Sequence, residues 1–175
     1  MVLLHRNKFM AVKRIARAKL GDVFEVNLED DNKVYFQFIS LDITQLNSEV
    51  IRVFKEKYCQ DEEPNLNEIV LGEIDFYVHV VIKAGILRNI WDKVGNVELE
   101  DGIDLPYFRS CRDYGNKEYH RKKSSNWMVW KTGEPFHFIG ELSEKYKTFD
   151  IGMVFPPPSI HKLIKGERVP INYPL

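Results

Sequence analysis

Leu20-Gly21-Asp22-Val23-Phe24-Glu25-Val26-Asn27-Leu28, then Glu29-Asp30-Asp31-Asn32, then Val34-Tyr35-Phe36-Gln37-Phe38-Ile39-Ser40-Leu41 is the stretch whose reading decides the fold. Phe24, Val26 and Leu28 alternate with Glu25 and Asn27, which gives an extended strand one apolar face. The Glu-Asp-Asp-Asn cluster reads as a turn, because Asp and Asn side chains hydrogen-bond the local backbone. The second apolar run returns beside the first, so the stretch is a β-hairpin opened by Gly21-Asp22. A hairpin alone is marginal in water. The rest of the chain must cover its apolar face, and the expectation is a β-rich domain.

Outward from the hairpin, Glu49–Tyr58 carries Val50, Ile51, Val53 and Phe54, β-branched or aromatic residues that favour a third strand. Gln60-Asp61-Glu62-Glu63-Pro64 is a loop, and Asn65 caps a helical turn over the residues that follow. Ile74 to Ile82 places Ile74, Phe76, Val78, Val80 and Ile82 on one face. Such strict alternation predicts a central strand with that face in the core, ended by Lys83-Ala84-Gly85. Asn89–Gly95 and Val97–Leu99 read as two extended pieces broken at Gly95. Residues 100–125 lack a sustained period and read as a long irregular insertion, and such loops are often functional. Asn126–Lys131 is a strand, Thr132-Gly133-Glu134-Pro135 a turn, and Phe136–Gly140 a short edge strand. After the rigid Phe155-Pro156-Pro157-Pro158, Ser159 caps a short terminal helix that Gly166 stops. The fold class is therefore α+β and β-rich, a mainly antiparallel twisted sheet or partly open barrel with one or two short helices. Residues 1–19 form a basic lead-in, 20–168 one domain, and 169–175 a C-terminal tail.

The chain has 175 residues, enough for one full-sized core. At 44% hydrophobic it is too apolar for a disordered chain. The formal net charge of −1 hides a pattern. Residues 1–20 carry +6, 21–108 carry −12, 109–123 carry +4 and 124–175 carry +1. The acidic block biases against nucleic acid and towards a basic partner. Two cysteines, Cys59 and Cys111, are too few for a disulfide framework and imply a reducing compartment. No segment approaches the roughly 20 apolar residues of a membrane span. Met1-Val2-Leu3-Leu4 is too short for a signal-peptide core and precedes the charges. The expected location is the cytoplasm.

Few residues point to catalysis. His5, His79, His120, His137 and His161 show no ligand spacing with one another or with cysteine, so neither metal nor cofactor is expected. His79 falls on the polar side of its strand and reads as a hydrogen-bonded structural histidine. Cys111 has Lys117 where an anion-cradling phosphatase loop needs arginine. Cys59, His79 and Asp75 could assemble a triad only through tertiary geometry. Paired carboxylates such as Asp30-Asp31 and Glu62-Glu63 sit in turns, where turn chemistry and solubility account for them. Tyr107, Phe108, Arg109, Tyr114 and Tyr119 with Arg121-Lys122-Lys123 come nearest to a basic, aromatic nucleic-acid surface. Trp127 and Trp130 are three apart and point to opposite sides of a strand, so one of them is expected outside the core. Exposed tryptophan is a common interface anchor.

In order along the chain, Lys19-Leu20-Gly21-Asp22-Val23-Phe24-Glu25-Val26, Tyr35-Phe36-Gln37-Phe38-Ile39, Val53-Phe54, Phe76-Tyr77-Val78-His79-Val80, Trp91-Asp92-Lys93-Val94-Gly95 and Ser159–Gly166 resemble the immunity protein 26 family of bacterial polymorphic-toxin systems. The resemblance spans roughly residues 15–168, and residues 100–125 depart from it. It implies a non-enzymatic protein that binds and neutralises a cognate toxin. A nuclease toxin has a basic cleft for phosphate, and an acidic inhibitor surface would compete for it and speed association. Candidate contacts are Asp30, Asp31, Asp61, Glu62 and Glu63, with Trp130 as an anchor. A nucleic-acid module acting through residues 107–123 and an enzyme using Cys59, Cys111, His79 or His137 remain the alternatives.

Overall fold

The computed structural model describes residues 17–170 and 172–175; most of the expected basic lead-in lies outside them. The hairpin forms as read. Strand β1 (Asp22–Asn27) runs antiparallel to β2 (Asn32–Asp42), from Val23 opposite Gln37 to Asn27 opposite Lys33. Its turn closes through Leu28 N–H donating to Asn32 O at 2.8 Å, with Asp31 at φ 56°, a left-handed conformation that Asp tolerates. The Gly-Asp opening has a steric cause. Gly21 sits at φ 84°, and a Cβ there would lie 2.4 Å from Val97 O. Asp22 is buried beside it. Its carboxylate accepts from Lys19 N (2.9 Å) and Asn96 Nδ2 (2.8 Å) and pairs with Lys93 (2.6 Å). Burial pushes the Asp22 carboxyl up, but these partners outweigh it and hold it below the usual range.

Strand β3 (Ser48–Phe54) pairs antiparallel with β2, and the short β4 (Tyr58–Cys59) pairs with the start of β2. After the Asn65-capped α1 (Leu66–Ile69), β5 (Ile74–Val80) pairs with β3. Then α2 (Ile82–Leu87) leads to β6 (Asp92–Asn96), which pairs with β1. The order β5-β3-β2-β1-β6 corrects one expectation: the strongly alternating strand β5 lies at an edge of the sheet, not in its middle. Its Phe76, Val78 and Val80 face is buried as expected. Its outer rim is covered by a later segment, where Tyr77 N–H donates to Asp150 Oδ2 (2.8 Å) and Phe155 N–H to His79 O (2.9 Å). Lys83-Ala84-Gly85 belongs to α2, and glycine is required at 85 because a Cβ there would lie 2.0 Å from the Trp91 ring. Gly95 continues β6 and does not break it; Leu66 Cδ1 lies 2.4 Å from where its Cβ would stand.

The second sheet takes its first strand from the region expected to be irregular. Strand β7 (Tyr107–Cys111) pairs antiparallel with β8 (Trp127–Lys131), which pairs with β9 (His137–Gly140). Past α3 (Glu144–Lys147), β10 (Asp150–Ile151) adds in parallel to β7, giving β10-β7-β8-β9. The terminal helix α4 (Ile160–Ile164) follows a 3-10 turn at Pro157–Ser159. Ser159 is already helical and makes no side-chain cap, whereas Gly166 ends the helix at φ 91°.

Phe24, Phe36, Ile51, Val53 and Val78 of the first sheet share one apolar cluster with Cys111, Trp127 and Ile151 of the second. Ile39 and Val50 share another with Phe108 and Trp130. Trp127 and Trp130 do point to opposite sides of β8, but both sides are core, and each ring is 1% exposed. The segment expected as a tail drives Tyr173 into the first cluster. The architecture is α+β, two mostly antiparallel sheets with short helices and no closed barrel. No helix among the described residues is long and apolar enough to cross a membrane.

Candidate partner-binding site

Four local decisions bring the two acidic segments together. The β1–β2 turn projects Asp30 and Asp31 into solvent, and the loop after β4 does the same for Asp61, Glu62 and Glu63. Strand β4 sets Cys59 opposite Asn32 and Tyr58 opposite Lys33. Gln60 N–H then donates to Asp31 O (3.1 Å), and its side chain donates to Leu28 O (3.3 Å). Glu62 folds back onto its own loop, its carboxylate accepting from Cys59 N (3.1 Å). Residues 30 apart in sequence thus share one end of the first sheet.

Counter-charges trim this end. Lys165 of α4 pairs with Glu29 at 2.9 Å, and Lys57 with Asp30 at 3.6 Å. The Lys165 hydrogen bond holds the Glu29 carboxyl below its ordinary value. Asp31, Asp61, Glu62 and Glu63 make no ion pair among the described residues. Beside them lies a groove of about 560 Å³ with Glu25, Asp61 and Glu63 on its walls and Tyr35, Leu66 and Val94 as apolar surface. Lys33 reaches into it and pairs with Glu25 at 3.3 Å. Burial pushes the Lys33 ammonium down, but the Tyr35 hydroxyl and Glu25 outweigh it and raise it. Sequence reading found the carboxylates but not this groove, since β6 reaches it through pairing with β1 and Leu66 packs in from α1 against Gly95.

Trp130 is not on this surface. Its indole Nε1 donates to Asp42 Oδ2 at 3.0 Å, and its ring packs edge-on against Phe136 at 4.8 Å between centroids. The same Asp42 oxygen lies 3.0 Å from His79 Nε2, and Thr44 Oγ1 donates to its other oxygen at 3.1 Å. Burial alone pushes the Asp42 carboxyl up; bonds from His79, Trp130 and Thr44 outweigh it and hold it at about 2. His79 is fully buried and structural, as its sequence reading has it, although its side of the strand is core and not solvent.

The remaining candidates lie apart. Cys59 is exposed on β4 and Cys111 buried on β7, where its thiol donates to Ser124 Oγ at 3.3 Å. His137 is exposed on β9. Among the described residues no hydrogen bond joins a cysteine to a histidine, and no three His, Cys, Asp or Glu side chains cluster as metal ligands. In the 107–123 stretch, Tyr107 stacks on Phe149 (5.1 Å) and Tyr114 on Tyr173 (4.9 Å), so these rings are engaged by their own chain.

No curated protein and no solved structure matches the chain. A family model does: Immunity protein 26, over residues 19–120. The match takes in the whole first sheet, the acidic turn, the 60–63 loop and β7, and is shorter than the 15–168 of the sequence resemblance. More than half of the chain lies within it, and the chain belongs to the immunity protein 26 family.

Proposed function

We propose that the protein binds and neutralises a cognate toxin of a bacterial polymorphic-toxin system by protein–protein contact, without catalysis, in the cytoplasm. The toxin class that fits best is a nuclease, whose basic phosphate cleft complements a carboxylate-rich end. One observation carries this reading: β4 and the Gln60–Asp31 hydrogen bond join Asp30 and Asp31 to Asp61, Glu62 and Glu63 on one surface. The groove lined by Tyr35, Leu66 and Val94 would supply apolar contact beside the charges, in the place expected of Trp130. Exposed carboxylates act mainly on association rate, through long-range steering that salt screens.

The test is the triple variant Asp61→Asn, Glu62→Gln, Glu63→Gln against the C-terminal toxin domain of a large secreted protein sought in the neighbouring gene. Association is expected to slow roughly tenfold at low salt and to lose much of its salt dependence. Unchanged binding with an unchanged salt slope overturns the acidic-surface reading. Absence of any complex between the two proteins overturns the toxin-neutralising role.

A further inference from the structure

The second sheet carries a cleft of about 580 Å³ that shares no lining residue with the acidic groove. Strands β7 and β8 contribute Arg109 and Trp127, β10 contributes Ile151, and Leu142 and Lys123 close the sides. Its lining side chains carry three cations, Arg109, Lys123 and Lys147, against two carboxylates, Glu141 and Glu144. Glu144 is matched by Lys147 at 2.6 Å. Glu141 stands on the rim against both Arg109 and Lys123.

Arg109 is half-buried, and among the described residues it makes no ion pair. Its only hydrogen bond runs from Nε to Phe149 O at 2.9 Å, which leaves both Nη groups uncommitted. Burial pushes its guanidinium pKa down, and the nearby Asp150 carboxylate offsets this only in part. The guanidinium lies 5.7 Å from the centre of the Trp127 ring. Trp127 is itself 1% exposed, and its indole Nε1 is buried with no acceptor among the described residues. A donor left so costs free energy until an acceptor is supplied. The Arg109 guanidinium thus keeps unmet donor capacity beside the Trp127 ring and against the apolar wall of Leu142.

We propose that this cleft binds a small carboxylate with an apolar body. The carboxylate takes the two free Nη groups of Arg109 in the forked geometry guanidinium favours, with Lys123 adding charge. The apolar body lies against Leu142 and Val169. This site is separate from the toxin surface, and its test does not depend on the toxin.

The probe is 8-anilino-1-naphthalenesulfonate, an apolar anion that fluoresces when bound, displaced from the full chain by 4-phenylbutyrate. The expected result is saturable one-to-one binding, displaced by 4-phenylbutyrate but not by 4-phenylbutanol or inorganic phosphate at the same concentration. Arg109→Gln should weaken 4-phenylbutyrate about tenfold or more, the size of one lost charge-assisted hydrogen bond. Circular dichroism checks that the variant folds. If it does not, Lys123→Gln at the exposed rim decides, with a weakening of roughly threefold expected from a screened charge. Equal displacement by the alcohol, or affinity that the folded variant leaves unchanged, identifies an adventitious additive only and overturns the proposal, as does the absence of saturable binding.

Discussion

The Asp42 carboxylate lies 3.0 Å from His79 Nε2, and neither side chain has any exposed surface. Because an ionised carboxylate only accepts, His79 Nε2 is the donor, and Nδ1 is buried with no partner among the described residues. Trp130 donates to the same oxygen. The carboxylate therefore ties β2, β5 and β8 together, two strands of the first sheet and one of the second.

Replacing Asp42 with Asn should lower stability by about 2 kcal/mol at neutral pH, since the ionised form is what the three donors favour. The folded-state value, about 2, lies below the ordinary 3.8. The contribution is thus complete above 3.8 and is lost as pH falls towards 2. Urea denaturation of both proteins at a series of pH values should show the gap close over that window, and a gap that persists at its acid end would contradict the assignment.

Gly152 faces the other end of the same indole. A Cβ there would stand 1.8 Å from Trp130 Cη2. Gly152→Ala must push a buried ring off its rotamer or shift β10, at a cost of about 1–3 kcal/mol. A drop in the denaturation midpoint with an altered tryptophan emission spectrum is the expected reading.

Tyr173 hydrogen-bonds Ser110 Oγ (3.1 Å) and accepts from Cys111 N (3.3 Å), with its ring 5.7 Å from that of Trp127. Tyr173→Phe should cost about 1 kcal/mol by removing the hydroxyl from a buried donor. Tyr173→Ala should cost about 3–5 kcal/mol. Thermal melts that leave both variants at the wild-type midpoint would show that the terminal segment is not part of the core.

Lys57 and Lys165 neutralise Asp30 and Glu29 across exposed ion pairs. Converting both lysines to Gln should leave the denaturation midpoint nearly unchanged, since exposed ion pairs contribute little. Association with a basic toxin should quicken several-fold at low ionic strength. Stopped-flow mixing at two salt concentrations separates the effect on rate from any effect on dissociation.

The hairpin, β3 and β8 were legible because each has a local signature: alternation, β-branched residues and bounded turns. So was the capped turn at Asn65, whose side chain accepts from Asn67 N at 3.0 Å. Strand β7 was hidden because Tyr-Phe-Arg-Ser-Cys has buried residues on both faces and no alternation of polarity. The edge position of β5 could not be read either, because alternation reports which face is buried and not which strands lie alongside. The acidic residues were legible as a charge run. Their meeting was not, since it depends on two residues of β4 pairing with β2. Trp130 was misplaced for a related reason: spacing showed that it opposes Trp127, but a strand covered on both sides can bury both.

Strand β5 presents four alternating apolar residues on an edge, and its outer hydrogen-bonding groups are met by Asp150, the Val154–Phe155 backbone and Arg168, whose Nη1 donates to Asp75 O at 3.1 Å. Those few bonds act as a safety catch. A chain in which residues 150–155 have not yet docked exposes a long, apolar strand able to recruit the same strand of another molecule. Protein synthesised without this late-arriving cap would be lost to insoluble self-association before it could meet any partner.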